Sequence, residues 1–248
     1  MTEDEALAFA DRLAARCSGA LGDAMASAIL HGSLTLGEFV AHRSDIDLLV
    51  VVAHPLGDGR LAALRDAVRG EAPPRADLRV VARAVAASPA RPTPMEAAFE
   101  LRPGKGLGME TQVADEPDLL VELSVARAHG RSLAGQPPGT VIGPVPRRWL
   151  LEVGDRQLAL WQRLTDDAAH AELMVLTACR IWRFAAEGIH SSKKAAGRWA
   201  LARDPSLTAV DEALRQRTVD PTMVIGEAGI ERLLALVRRE LRSHLNSM

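Results

Sequence analysis

The chain contains no tyrosine, and its other large aromatics are only four Trp and four Phe in 248 residues. So sparse a set argues against the successive stacking platforms on which single-stranded nucleic acid is held. Cysteine is scarcer still, with Cys17 and Cys179 the only two. Two thiols define no disulfide framework, and both lie in apolar, helix-like stretches, which predicts buried free thiols. Long apolar runs are missing as well, since none nears the ~18 residues that span a bilayer. Residues 1 to 7 are acidic and lack the cationic start and apolar run of a secretory signal. No membrane association and a cytoplasmic location are therefore expected. Nor does one charge predominate: 30 Lys and Arg against 32 Asp and Glu leave a formal charge of −2. That balance gives no general attraction to nucleic acid or to an anionic surface. Any anionic partner must be held by a local site.

What is present is enough apolar material for a core. Hydrophobic residues make up 48% of the chain, in a length that suits one large domain or two modest ones. The periodicity changes part-way. Residues Asp4 to Leu21 carry a helical stripe through Leu7, Phe9, Ala10, Leu13 and Cys17. Short apolar runs follow at 28–30, 46–53 and 78–82, with a helical segment over 57–68. Residues 46–53, IDLLVVVA, read as a strand covered on both faces. From Trp149 onward no strand pattern remains, and apolar residues recur at helical spacing. They include Leu150, Val153, Leu160, Trp161, Leu164, Leu173, Met174, Leu176, Ile181 and Phe184, then Leu233 to Leu245. That is the pattern of a helix bundle. The Pro/Gly-rich stretch 136–146, QPPGTVIGPVP, is the natural linker. The reading is an α+β chain, with a mixed sheet and helices over residues 1–143 and an all-α bundle over 144–248.

The richest stretch is HGSLTLGEFVAHRSDIDLLV, residues 31–50. Gly32 and Ser33 follow one strand-like run, and Asp45 and Asp47 open the next. Residues at i and i+2 of a strand share a face, so the two carboxylates stand side by side while Ile46 turns into the core. Two like charges so close call for a cation, and hard oxygen ligands suit Mg²⁺. Gly32 permits close backbone approach to a phosphate, and Ser33 offers a hydroxyl and an amide donor. Asp-x-Asp alone is commonly a solvated strand end and Gly-Ser alone a turn. Their conjunction, with a short connection leading into a strongly apolar strand, points to a nucleotide–metal site. His42, His54, His129 and His244 show no metal-ligand spacing.

This arrangement resembles the polymerase-β-like nucleotidyltransferase superfamily, with eleven residues between Ser33 and Asp45. The likeness extends over roughly residues 25 to 200, to the aminoglycoside (3″)(9)-adenylyltransferase family of streptomycin and spectinomycin resistance enzymes. It is carried by HGS…HRSDIDLLV, PDLLVELSVARAHGRSLAG, PVP before the helices, MVLTACRIW and EGIHSSKKAAGRWAL.

The resemblance implies a transferase that moves AMP from ATP, with Mg²⁺, onto an antibiotic hydroxyl and releases pyrophosphate. Ser33 and Ser44 would contact phosphates, and Asp45 and Asp47 would hold the metal. Glu96, in PTPMEAAF, would be the catalytic glutamate that accepts the hydroxyl proton, with Glu100 its local competitor. Asp118 would reach the nucleotide, although an Asp before an apolar run is also a helix start. Lys193 would bring a point charge from the helical half to the phosphates. Trp161 and Asp166 stand where streptomycin-active relatives carry a Trp and an Asp. The second acidic position of the family is His170 here, with Glu172 nearby. Its nucleotide-contacting Tyr has no counterpart, and Arg217 lies near that place. The expected partner is a small cationic antibiotic bound in a cleft between the halves, with no nucleic acid and a monomeric chain. Two other readings stay open: adenylylation of a different acceptor, and a non-catalytic nucleotide or drug sensor.

Overall fold

The computed structural model describes residues 1–41, 43–69 and 74–248. His42 lies outside them. The described chain forms two compact units, Met1–Val145 and Pro146–Met248. The division falls two residues beyond the expected one.

The first unit is built on a six-stranded mixed sheet. Its strands are β1 Met25–His31, β2 Ile46–Val52, β3 Ala76–Ala82, β4 Met95–Arg102, β5 Gly106–Val113 and β6 Arg131–Gly135. The spatial order is β5-β4-β3-β2-β1-β6. Only β2 and β3 pair in parallel, joined by the crossover helix α2 Asp58–Arg69; the other pairs are antiparallel. Strand β2 alternates its side chains between two cores. Ile46, Leu48, Val50 and Val52 pack with α1, Glu3–Leu21, and α2, while Leu49 and Val51 meet α4, Leu119–His129. The apolar run of β2 is thus explained by cover on both faces.

Helix α1 begins at a capping box in which Thr2 and Glu5 exchange bonds with each other's backbone amides. Its buried stripe includes Phe9, Ala10, Leu13 and Cys17. Burial pushes the Cys17 and Cys179 thiols up to about 12, so neither is a reactive nucleophile.

Three strands go beyond those anticipated. Strands β4 and β5 form an antiparallel pair across 95–113, and β6 closes the other edge. The Pro/Gly stretch 136–146 is also more than a linker. It holds the short helix α5, Pro138–Val141, and buries Val141 and Ile142 completely or nearly so against α4. Those two apolar residues outweigh the flexibility that the surrounding Pro and Gly suggest.

The second unit is all helix: α6 Arg147–Trp161, α7 Ala171–Glu187, α8 Lys193–Arg203, α9 Thr208–Thr218 and α10 Glu227–Asn246. A short α3, Arg83–Ala87, precedes β4 in the first unit. The bundle core gathers Leu151, Leu158, Val175, Cys179, Trp182, Leu233, Val237 and Leu241. Three leucines of the anticipated stripe are exposed instead. Helix α6 stops at Trp161, and Leu160, Leu164 and Leu173 are 52%, 41% and 40% exposed. Leu160 and Leu173 lie on either side of the 162–170 connection, and Leu164 lies within it.

Candidate active site

Strand β1 delivers His31 to its end, and the chain then turns sharply at Gly32, whose φ is +74°. A Cβ at Gly32 would lie 1.8 Å from Asp47 Oδ2. Glycine is therefore required twice, by the left-handed backbone and by the approach of Asp47. The turn continues through backbone bonds from Leu36 N to Gly32 O and from Glu38 N to Ser33 O. Within it the Ser33 hydroxyl is buried without a hydrogen-bond partner among the described residues. The Ser44 hydroxyl instead accepts from Val40 N at 3.0 Å and closes the loop ahead of β2.

Asp45 immediately precedes β2 and Asp47 is its second residue. Asp45 Oδ1 lies 2.7 Å from the Arg75 guanidinium at the start of β3. Among the described residues no group of three or more His, Cys, Asp or Glu is gathered as a metal cage. The donor set still fits Mg²⁺, which is commonly held by one or two carboxylates plus substrate phosphates. An orphaned hydroxyl at Ser33 and a turn that has room for nothing larger than glycine fit the same use.

The sheet register defines what surrounds the pair. His31 stands opposite Asp47, Asp47 beside Asp77, and Asp77 opposite Glu100. Neighbours in register on adjacent strands present their side chains to the same face. Asp77 is therefore a third carboxylate on the face that carries Asp47. Arg102 holds it at 2.7 Å, and the same guanidinium reaches Glu100 at 3.8 Å. Two residues along β3, Arg79 lies 3.6 Å from Glu122 of α4. Burial, with Arg79 drawing the other way, raises the Glu122 carboxyl to about 7. His31 is buried, its Nε2 has no partner among the described residues, and desolvation with the nearby Arg79 charge lowers it to about 4. At neutral pH it is an uncharged imidazole.

Glu96 is not brought to the metal pair. Extending the β3–β4 register places it level with Val81 and Val51, at the far end of β2. That is four residues from the Asp47 row, about 13 Å along the strands at ~3.3 Å per residue. Its carboxylate accepts from Leu56 N at 2.8 Å and so caps the loop after β2. Antiparallel pairing, not sequence position, decides which end of β4 meets Asp47. Asp77 was overlooked inside ADLRVV, where a lone charge on an apolar strand has no motif. The signal available was that Asp77 and Arg79, two apart, interrupt an otherwise apolar strand on one face.

Asp118 is the N-cap residue of α4, exposed and making no side-chain capping bond. Lys193 opens α8 behind Ser192, whose hydroxyl accepts from Ala195 N. Trp161 ends α6, half-buried against the bundle core. Asp166 is exposed in the α6–α7 connection. His170 precedes α7, and its Nδ1 lies 2.7 Å from Asp167, whose carboxyl is held low by that contact. Glu172 meets Arg217 at 3.0 Å, with 11% and 3% of the two side chains exposed.

Comparison with known proteins bears on both units. Residues 14–99 match the model of the nucleotidyltransferase domain, and residues 140–218 that of the C-terminal domain of aminoglycoside adenylyltransferases. An aminoglycoside (3″)(9) adenylyltransferase of Klebsiella pneumoniae is 33% identical over 187 residues, 71% of each chain. The chain belongs to the aminoglycoside (3″)(9) adenylyltransferase family. A Rhizobium radiobacter relative of the same name is 33% identical over 173 residues, 66% of this chain and 64% of its own. The fold also matches spectinomycin adenyltransferase AAD(9) from Enterococcus faecialis, solved with ATP and spectinomycin. The TM-score is 0.71 at 18% identity, over 96% of this chain and 99% of that one. Like the family, this protein is an enzyme of the nucleotidyltransferase class, with a mixed-sheet domain followed by helices.

Proposed function

We propose that the enzyme transfers AMP from ATP, in a magnesium-dependent reaction, to a hydroxyl of streptomycin, spectinomycin or both. The observation that supports it most is the juxtaposition of the Gly32–Ser33 turn with Asp45, Asp47 and Asp77 on adjoining strands. Asp45 and Asp47 would hold Mg²⁺, which when bound neutralises phosphate charge. Gly32 and Ser33 would receive phosphate oxygens at the turn, with the Ser33 hydroxyl, unpartnered among the described residues, as a donor. Ser44, Asp118 and Lys193 are proposed as further nucleotide contacts, with Lys193 supplying positive charge.

Asp77 takes the role first expected of Glu96. It accepts the proton of the acceptor hydroxyl as that oxygen attacks the α-phosphorus. The bond from the α-phosphorus to the bridging oxygen breaks, pyrophosphate leaves, and the AMP ester forms. Arg102 keeps the Asp77 carboxylate in place. In the helical unit, Trp161 offers a face to a sugar ring, and Asp166 offers a carboxylate with no side-chain partner among the described residues. Asp167, fixed by His170, lies beside it.

Adenylylation of a different acceptor is a second reading. It is favoured by one observation: two negative charges near α7, on Asp167 and Glu172, are already engaged by His170 and Arg217. Pyrophosphate release with magnesium and ATP, across streptomycin, spectinomycin and other aminoglycosides, separates the two. Turnover with either named drug supports the first reading. ATP binding without turnover of any aminoglycoside moves the assignment to the second.

A further inference from the structure

One row of positions runs in register across five strands: His31, Asp47, Asp77, Glu100 and Gly108. Glu100 therefore stands beside Asp77 as Asp77 stands beside Asp47. Adjacent strands are about 4.8 Å apart, a span that a sugar or cyclitol ring covers between a hydroxyl and an amino substituent.

Glu100 is held differently from its neighbours. Arg102 comes within 2.7 Å of Asp77 but only 3.8 Å of Glu100, and it also donates to the Ala76 and Leu101 carbonyls. The guanidinium is committed to Asp77 and to backbone. Glu100 is left 53% exposed. On its other side the row ends at Gly108, where a Cβ would sit 3.5 Å from the Glu100 Cβ. That is ordinary contact, so the sheet would accept a side chain there, and glycine leaves the place open. At the opposite end, His31 Nε2 and the Ser33 hydroxyl are buried and unpartnered. Among the described residues no protein group completes these atoms, which marks this end of the row as a place for a ligand.

We propose that Glu100 is a second, acceptor-binding carboxylate of the active site. It receives an ammonium or guanidinium group of the acceptor while Asp77 faces the hydroxyl that becomes adenylylated. Two carboxylates one strand apart thus have separate roles, one toward the proton and one toward the cation. Gly108 keeps the cation's place clear. The inference rests on the adenylyl-transfer reading above and assigns one part of its specificity.

The test is steady-state pyrophosphate release with streptomycin and spectinomycin, for the wild type, Glu100→Gln, Glu100→Asp and Gly108→Val. Glu100→Gln should raise the drug KM about tenfold, the worth of one charge-assisted hydrogen bond. The KM for ATP and kcat should stay within about twofold. Glu100→Asp, which keeps the charge, should recover most of the loss. Gly108→Val should raise the drug KM alone, and it carries the test if Glu100→Gln fails to fold by thermal melting. An unchanged drug KM in the folded variants, or a fall in kcat alone, overturns the inference and leaves adenylyl transfer standing. A wild type that turns over neither drug overturns both.

Discussion

A methyl group at Gly32 would collide with the Asp47 carboxylate and would also have to adopt a left-handed backbone. Gly32→Ala should therefore lose at least about 100-fold in activity by displacing Asp47. The backbone strain should cost about 1–2 kcal/mol of stability, read as a lower thermal midpoint. Asp77 and Glu96 offer a sharper contrast. Asp77→Asn should lower kcat by about 10²–10⁴-fold, the worth of a positioned base. Glu96→Gln should keep kcat within a few-fold, because its carboxylate serves the Leu56 amide. Single-turnover rates for both variants check the assignment. His31 gives a pH signature. Its folded value is lowered to about 4 from an ordinary 6.5. Below 6.5 the unfolded chain binds a proton that the folded chain does not, so stability falls as pH drops from 6.5 toward 4. Thermal midpoints across that window should fall less steeply in His31→Asn than in the wild type.

At the scale of elements, β2 was legible because its residues are apolar throughout and its entry is marked by two aspartates. The helix-rich half was legible for a similar reason, since a 3.6-residue period persists over long segments. Strands β4 and β5 were not read as strands. Their exposed positions, including Glu100, Gly106, Gly108 and Glu110, break the apolar pattern on the site face. Val141 and Ile142 show the converse, two core residues hidden among Pro and Gly. The site was half legible for the same reason. Asp45 and Asp47 are neighbours in sequence, whereas Asp77 and Glu100 join them only through register, which no local spacing encodes. Between helices, Glu172 in the first turn of α7 and Arg217 in the last turn of α9 form a buried ion pair. Removing one partner takes this counter-charge from the other in a largely buried place. Arg217→Ala should therefore destabilise the helical unit by about 3–5 kcal/mol. The measurement is chemical denaturation of Arg217→Ala against Glu172→Gln/Arg217→Met, and the double variant should recover much of the loss.

For the whole molecule, each unit has its own core, and each matches the corresponding part of one family. The sheet unit carries the carboxylates proposed to act on the nucleotide, and the helical unit carries Trp161, Asp166 and Lys193, proposed as ligand contacts. The sequence motifs led to the family, while the sheet register moved the proposed base from Glu96 to Asp77. The pairing of Glu172 with Arg217, and of Asp167 with His170, bears on the proposed drug contacts of the helical unit. The most direct measurement is mass spectrometry of streptomycin and spectinomycin after incubation with the enzyme, ATP and magnesium, with pyrophosphate quantified in the same reaction. The account predicts one AMP added to at least one drug, one pyrophosphate released per product, and loss of both in Asp47→Asn. Tight ATP binding with neither drug modified would contradict it.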